Sequence, residues 1–116
     1  MVDRVVATEE QWTALQEQYP APAFELVRVT CQPGEIVLRN PNEVEYHAFS
    51  AETWGKPGTE GFPVAYRNAM LQQAVFPDRN TLIAWLKRWP GLGHSAGVMK
   101  AIRYLSGQEE SLAGKG

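Results

Sequence analysis

The chain has 116 residues, of which 44% are hydrophobic and 21% charged, and a formal net charge of -2. This is one domain's length with enough apolar material for a packed core, which excludes a fibrous or intrinsically disordered chain. The mild acidity, with basic residues scattered rather than clustered, argues against a general nucleic-acid binder, which needs grouped Lys and Arg to displace phosphate counterions. The single cysteine, Cys31, cannot form an internal disulfide. With no signal-like leader and no apolar run near the roughly 20 residues that span a bilayer, the chain reads as cytoplasmic, without membrane contact.

Met1 to Ala7 carries Val2, Val5 and Val6 and reads as a short strand or ordered arm. Thr8-Glu9-Glu10-Gln11 has the form of a capping box, and Trp12, Leu15 and Tyr19 follow at helical spacing until Pro20 and Pro22 stop the helix. From Phe24 to Cys31 the residues alternate, with Val27, Val29 and Cys31 on one side. Gln32-Pro33-Gly34-Glu35 reads as a turn and Ile36 to Arg39 as a second strand, giving a β-hairpin. A lone hairpin is marginal in water, so a third strand is expected, with Val2 to Val6 as its source. An edge left unpaired would be open to a second copy, giving a homo-oligomer.

Asn40-Pro41 reads as cap and first helical residue of a helix running to about Trp54, with Tyr46, Phe49 and Trp54 as buried candidates. Gly55 to Pro63, rich in Gly and Pro, reads as a mobile loop. Pro63 opens a helix to about Val75. Asp78 caps the next, which carries an apolar stripe of Leu82, Ile83, Leu86 and Trp89. Pro90-Gly91 ends it, and a last helix with Val98, Ile102 and Leu105 runs to Gly107. Residues 1–107 thus form one α+β domain, mostly α-helical, with a small hairpin or three-stranded sheet and four to five helices. Residues 108–116 are polar and small, a tail expected to be disordered.

The residues do not spell out a catalytic, cofactor or metal site, and the chain reads as a non-enzyme. His47 and His94 are far apart and lack companion ligands. Cys31 sits beside a turn with nothing to mark it as activated, Asp78 is used as a cap, and Glu43 and Glu45 diverge on a helix. The segment 78–106 has the outline of a helix-turn-helix, which supplies an alternative reading as a small nucleic-acid-binding regulator. Its second helix, however, opens Gly-His-Ser-Ala-Gly, poor in base-reading side chains. The aromatics Trp54, Phe62, Tyr66, Phe76, Trp85 and Trp89 exceed what so small a core readily hides. One or two of them, Trp85 and Trp89 above all, are expected at the surface as anchors for a protein partner.

Two stretches carry a resemblance. Val37-Leu38-Arg39-Asn40-Pro41 followed by Glu45-Tyr46 and Phe49 looks like the entry of small tailed-phage proteins. More specifically, Val75-Phe76-Pro77-Asp78-Arg79, then Leu82, Leu86, Trp89-Pro90-Gly91-Leu92 and a helix ending Leu105-Ser106-Gly107 is similar to phage tail assembly chaperones. The likeness spans roughly residues 24–107 and leaves the N-terminal helix and residues 55–63 unplaced. It implies a non-enzymatic prophage or phage assembly factor in the bacterial host cytoplasm. Its partner would be the long helical tape-measure protein, whose apolar stripes it would cover by helix-in-groove recognition. The partner-facing residues expected from it are Tyr66, Leu82, Trp85 and Trp89, within helices 63 to 89.

Overall fold

A computed structural model describes residues 4–53 and 61–108. The fold is α+β. Strands β1 (Leu26–Cys31), β2 (Gly34–Arg39) and β3 (Ala74–Phe76) form one antiparallel sheet in that order, with β2 central. Helices α1 (Glu9–Gln18), α2 (Glu43–Thr53), α3 (Gly61–Gln73), α4 (Arg79–Arg88) and α5 (Ala96–Leu105) surround it, with a 3₁₀ turn at Pro90–His94. Among the described residues no helix is long and apolar enough to cross a membrane. Trp54 and most of the expected loop 55–63 lie outside the described residues, as does the expected tail from residue 109 onward. Gly61–Pro63, expected in that loop, instead form the first turn of α3. Gln108 is held by its Nε2 donating to the Tyr46 hydroxyl at 3.1 Å.

The third strand differs from the expected one. Val5 makes only a single parallel bridge, to Gly34, while Ala74–Phe76 supplies β3. Val75, read as helical, is extended because the Pro77 ring disfavours helical backbone at Phe76, and the β-branched and aromatic pair suits a pleated surface. The start of α2 also shifts. Asn42, not Asn40, caps it: Asn42 Oδ1 accepts from Glu45 N at 2.8 Å, and Asn42 N donates to Glu45 Oε1 at 3.0 Å. Pro41 therefore lies before the helix. Asn40 is drawn away to hold the start of β1, accepting from Glu25 N at 2.9 Å and donating to Ala23 O at 3.2 Å. The capping box of α1 forms, with Thr8 and Gln11 bonded reciprocally at 2.9 and 3.1 Å.

The hairpin turn is the pair Gln32-Pro33, since Cys31 and Gly34 already face each other across the strands. Alternation then puts Val27, Val29, Ile36 and Leu38 on one face of the sheet. That face joins Ala65, Tyr66, Ala69 and Met70 of α3, Leu82 and Trp85 of α4, and Val98, Ala101, Ile102 and Leu105 of α5 in one buried cluster. Two glycines allow the close approaches this needs. A Cβ on Gly97 would lie 3.3 Å from Val29 Cγ1, and one on Gly93 would lie 2.8 Å from the Arg67 Cα.

The opposite sheet face is covered by the N-terminal arm and α1, and it is held by polar contacts. The Arg28 guanidinium donates to both Glu35 oxygens, at 2.8 and 3.0 Å, and lies 4.7 Å over the Trp12 ring. Glu35, only 8% exposed, also accepts from Ala7 N at 3.1 Å, while Arg28 donates to Ala7 O at 3.3 Å. Burial pushes the Glu35 carboxyl up. The Arg28 hydrogen bonds, the Ala7 N–H and the Arg28 charge outweigh it and hold the group below the usual carboxylate range. Glu45 is held low as well, first by hydrogen bonds from Arg39 at 2.9 and 2.8 Å, against burial and with help from Asn42 N–H.

A carboxylate whose pKa is depressed on folding contributes stability above its unfolded value, about 4.3, and loses that contribution as pH falls through the folded value. The domain is therefore expected to weaken below about pH 4.3 as Glu35 and Glu45 take up protons. Glu35→Gln should cost about 1–3 kcal/mol at neutral pH, the scale for charge-assisted bonds left unmade. It should also flatten the acid limb. Urea midpoints at pH 7 and pH 3 for both proteins check this; an equal loss between the two pH values would contradict it.

Candidate functional site

The apolar stripe of α4 divides at its end. Leu82 and Trp85 point into the core and are 1% and 8% exposed. Trp89 would continue that row, but it precedes Pro90 and caps the helix instead, with φ −128° and ψ 78° and its N–H donating to Trp85 O at 2.7 Å. The break swings the Trp89 ring out to the corner where α4, the 3₁₀ turn and α5 meet. There the tip of the β-hairpin approaches it, and between them lies an open groove of about 510 Å³.

Cys31 and Gln32 form the hairpin wall of this groove, Trp89, Pro90 and Leu92 the opposite wall, and Ser95 the start of α5. The volume falls within the usual range for pockets that take a side chain cluster or small ligand, roughly 300–1,000 Å³. Gly91 and Gly97 leave the walls low. The Arg88 guanidinium stands 5.1 Å from the Trp89 ring centroid, a cation–π distance. Ser95 donates its hydroxyl to Leu92 O at 3.0 Å. Burial pushes the Cys31 thiol up, against the pull of the Gly34 N–H and of Arg4, so the thiol form is favoured over the nucleophilic thiolate.

Of the four residues expected to face a partner, the structure sends three inward. Tyr66 is 7% exposed, its ring edge-on to Phe49 at 5.0 Å, and Leu82 and Trp85 belong to the same core. Counting aromatics leads to Trp85 at the surface, and the resemblance implies Tyr66 and Leu82 as partner-facing residues. The sheet's inner face and three helices close over them and correct that expectation. Trp89 alone of the four reaches the groove. Phe76 is half-buried in β3. Arg88, Cys31, Gln32 and Ser95 were not anticipated as a group. Their meeting depends on the hairpin folding over the helical corner, a tertiary contact with no local pattern.

The remaining candidates are placed as follows. His47 sits on the exposed side of α2 beside Tyr46, with ring centroids 6.0 Å apart. His94 ends the 3₁₀ turn, its Nε2 4.0 Å from where a Cβ on Gly91 would be. Asp78 caps α4 through Thr81 N at 3.1 Å and the Thr81 hydroxyl at 2.7 Å. Helix α5 lies against β1, β2 and α3 and buries Val98, Ala101, Ile102 and Leu105, so its exposed first turn offers Ala96 and Gly97, which carry no hydrogen-bonding side chain.

Comparison of the chain with protein-family models, with curated proteins and with solved structures finds no match.

Proposed function

We propose that this chain is a non-enzymatic assembly factor that binds a protein partner in the groove between the hairpin tip and the α4–α5 corner. We propose further that the partner is a long helical chain with apolar stripes, of the kind a tail assembly chaperone keeps in solution. One coincidence carries the reading. The motif Trp89-Pro90-Gly91-Leu92, the more specific part of the sequence resemblance, builds one wall of the groove. A partly buried Trp at the groove, backed by Leu92 and Pro90, has the character of an interface anchor, because a large rigid ring loses little entropy when a partner covers it. An unassembled tape-measure-like helix needs its apolar stripe shielded, and a groove of this size accepts one or two side chains of such a stripe.

The test is a tagged pull-down from the native host, with any prophage induced, read by mass spectrometry for the wild type and for Trp89→Ala. A hot-spot aromatic contributes about 2 kcal/mol or more to binding, so the variant should capture its partner at least about 30-fold more weakly. Its melting temperature should stay within a few degrees of the wild type. Recovery of a long helical tail protein by the wild type alone supports the reading. Recovery of nucleic acid, or equal capture by both proteins, contradicts it.

A further inference from the structure

The charge of the groove says what kind of segment it takes. Arg88 is the one charged side chain in its lining. The other described guanidinium groups have acceptors: Arg28 is paired with Glu35, Arg39 with Glu45, Arg4 donates to Cys31 O and Gly34 O, Arg67 to Asn68 Oδ1, Arg79 to Leu71 O, and Arg103 to the Tyr66 hydroxyl. Arg88 has no acceptor among the described residues and is held by the Trp89 ring instead. A cation–π contact with a ring leaves the N–H groups of a guanidinium free, and these can receive a carboxylate with two parallel hydrogen bonds. A chain with 13 acidic residues against 11 basic ones has set a lone cation beside an apolar slot.

We infer that the groove recognises a partner segment in which a large apolar side chain is followed closely by Asp or Glu. The apolar group enters between Trp89, Leu92 and the hairpin wall, and the carboxylate pairs with Arg88 at the rim. The inference rests on the protein-binding reading above and adds the chemistry of the bound segment. Arg88 supplies selectivity and the apolar slot most of the affinity, since a rim charge pair in water is weak by itself.

The experiment is selection of random 12-residue peptides displayed on phage against the immobilised full chain. Binding of the enriched peptides to variants is then followed by fluorescence anisotropy. Gly91→Leu adds a bulky side chain at a residue that lines the groove; a Cβ there meets nothing nearer than His94 Nε2 at 4.0 Å, so the fold should keep its shape, and circular dichroism checks it. The expected result is enrichment of peptides with an aromatic or branched apolar residue within about four positions of Asp or Glu. They should lose binding to Gly91→Leu and bind Arg88→Glu at least about tenfold more weakly, with Arg88→Lys intermediate because it keeps the charge but not the fork. Enriched peptides without acidic residues, bound equally by Arg88→Glu, would overturn the proposed chemistry and leave the groove as a protein site. Peptides that bind Gly91→Leu as well as the wild type, or no enrichment at all, would overturn the groove itself as the site and with it the reading on which this inference rests.

Discussion

Trp85→Ala is expected to lower the stability of the domain by about 3–5 kcal/mol, the range for deleting a large aromatic from a closed core. Trp85 is 8% exposed and belongs to the cluster that unites the inner face of the sheet with α3, α4 and α5. Truncation removes contacts to several elements at once, and a backbone tied into helices on one side and strands on the other can collapse only partly into the space. Against a total of about 5–15 kcal/mol for a domain, the loss is large enough to leave a measurable unfolded fraction. Urea unfolding followed by circular dichroism gives the number, with an unchanged dependence on denaturant showing that the same surface is exposed. Trp89→Ala should cost far less, because its ring is already partly in water. If Trp85→Ala unfolded at the wild-type midpoint and lost only partner binding, the inward placement of Trp85 would be wrong.

Gly34→Ala is the second large effect, and it acts on the other face of the sheet. Gly34 has φ +154°, where L residues are strained, and a Cβ there would lie 2.1 Å from Val5 O and 2.7 Å from the Val5 C and N atoms. Those are backbone atoms, so no rotamer relieves the clash and the arm must move. The bonds Val5 N to Pro33 O and Glu35 N to Val5 O, both 3.0 Å, would be lost with it. Strain at such a residue is about 1–3 kcal/mol, and the two hydrogen bonds add about 1 kcal/mol each. The expected signature is local as well as global. Exchange of the Glu35 amide should quicken, and Trp12 emission should shift as α1 loses its anchor, since no residue of α1 is fully buried. Unchanged exchange at Glu35 would mean that the arm is not seated on Gly34.

The sequence made legible whatever is decided within about ten residues. The capping box of α1, the alternation of β1, the Asp78 cap and the apolar face of α5 are local patterns, and each appears in the fold. It was misleading wherever two local rules competed. Asn40 and Asn42 can both cap, and only the tie of Asn40 to Ala23 and Glu25 decides between them. Val75 fits either a helix or a strand, and Pro77 together with a vacant edge of β2 decides for the strand. For the groove, Trp89 was legible as an aromatic at the end of a stripe, and Pro90 as the residue that stops the helix. That Trp85, four residues earlier, turns inward while Trp89 turns outward follows from the break at Pro90. That Cys31 and Gln32 face them follows from the hairpin's long-range placement. Arg88 gave no signal in the sequence because its distinction is the missing acceptor, which only three-dimensional neighbours reveal.

The most direct test of the groove as the partner-binding surface is photocrosslinking in the native host, with p-benzoylphenylalanine in place of Gln32, an exposed residue on the groove's hairpin wall, and in place of Glu17 on the exposed side of α1. A covalent adduct is expected from position 32 with one long helical protein, lost when Trp89→Ala is added, and none from position 17. An adduct from position 17 with none from position 32 would contradict this expectation and move the binding surface to the opposite side of the sheet.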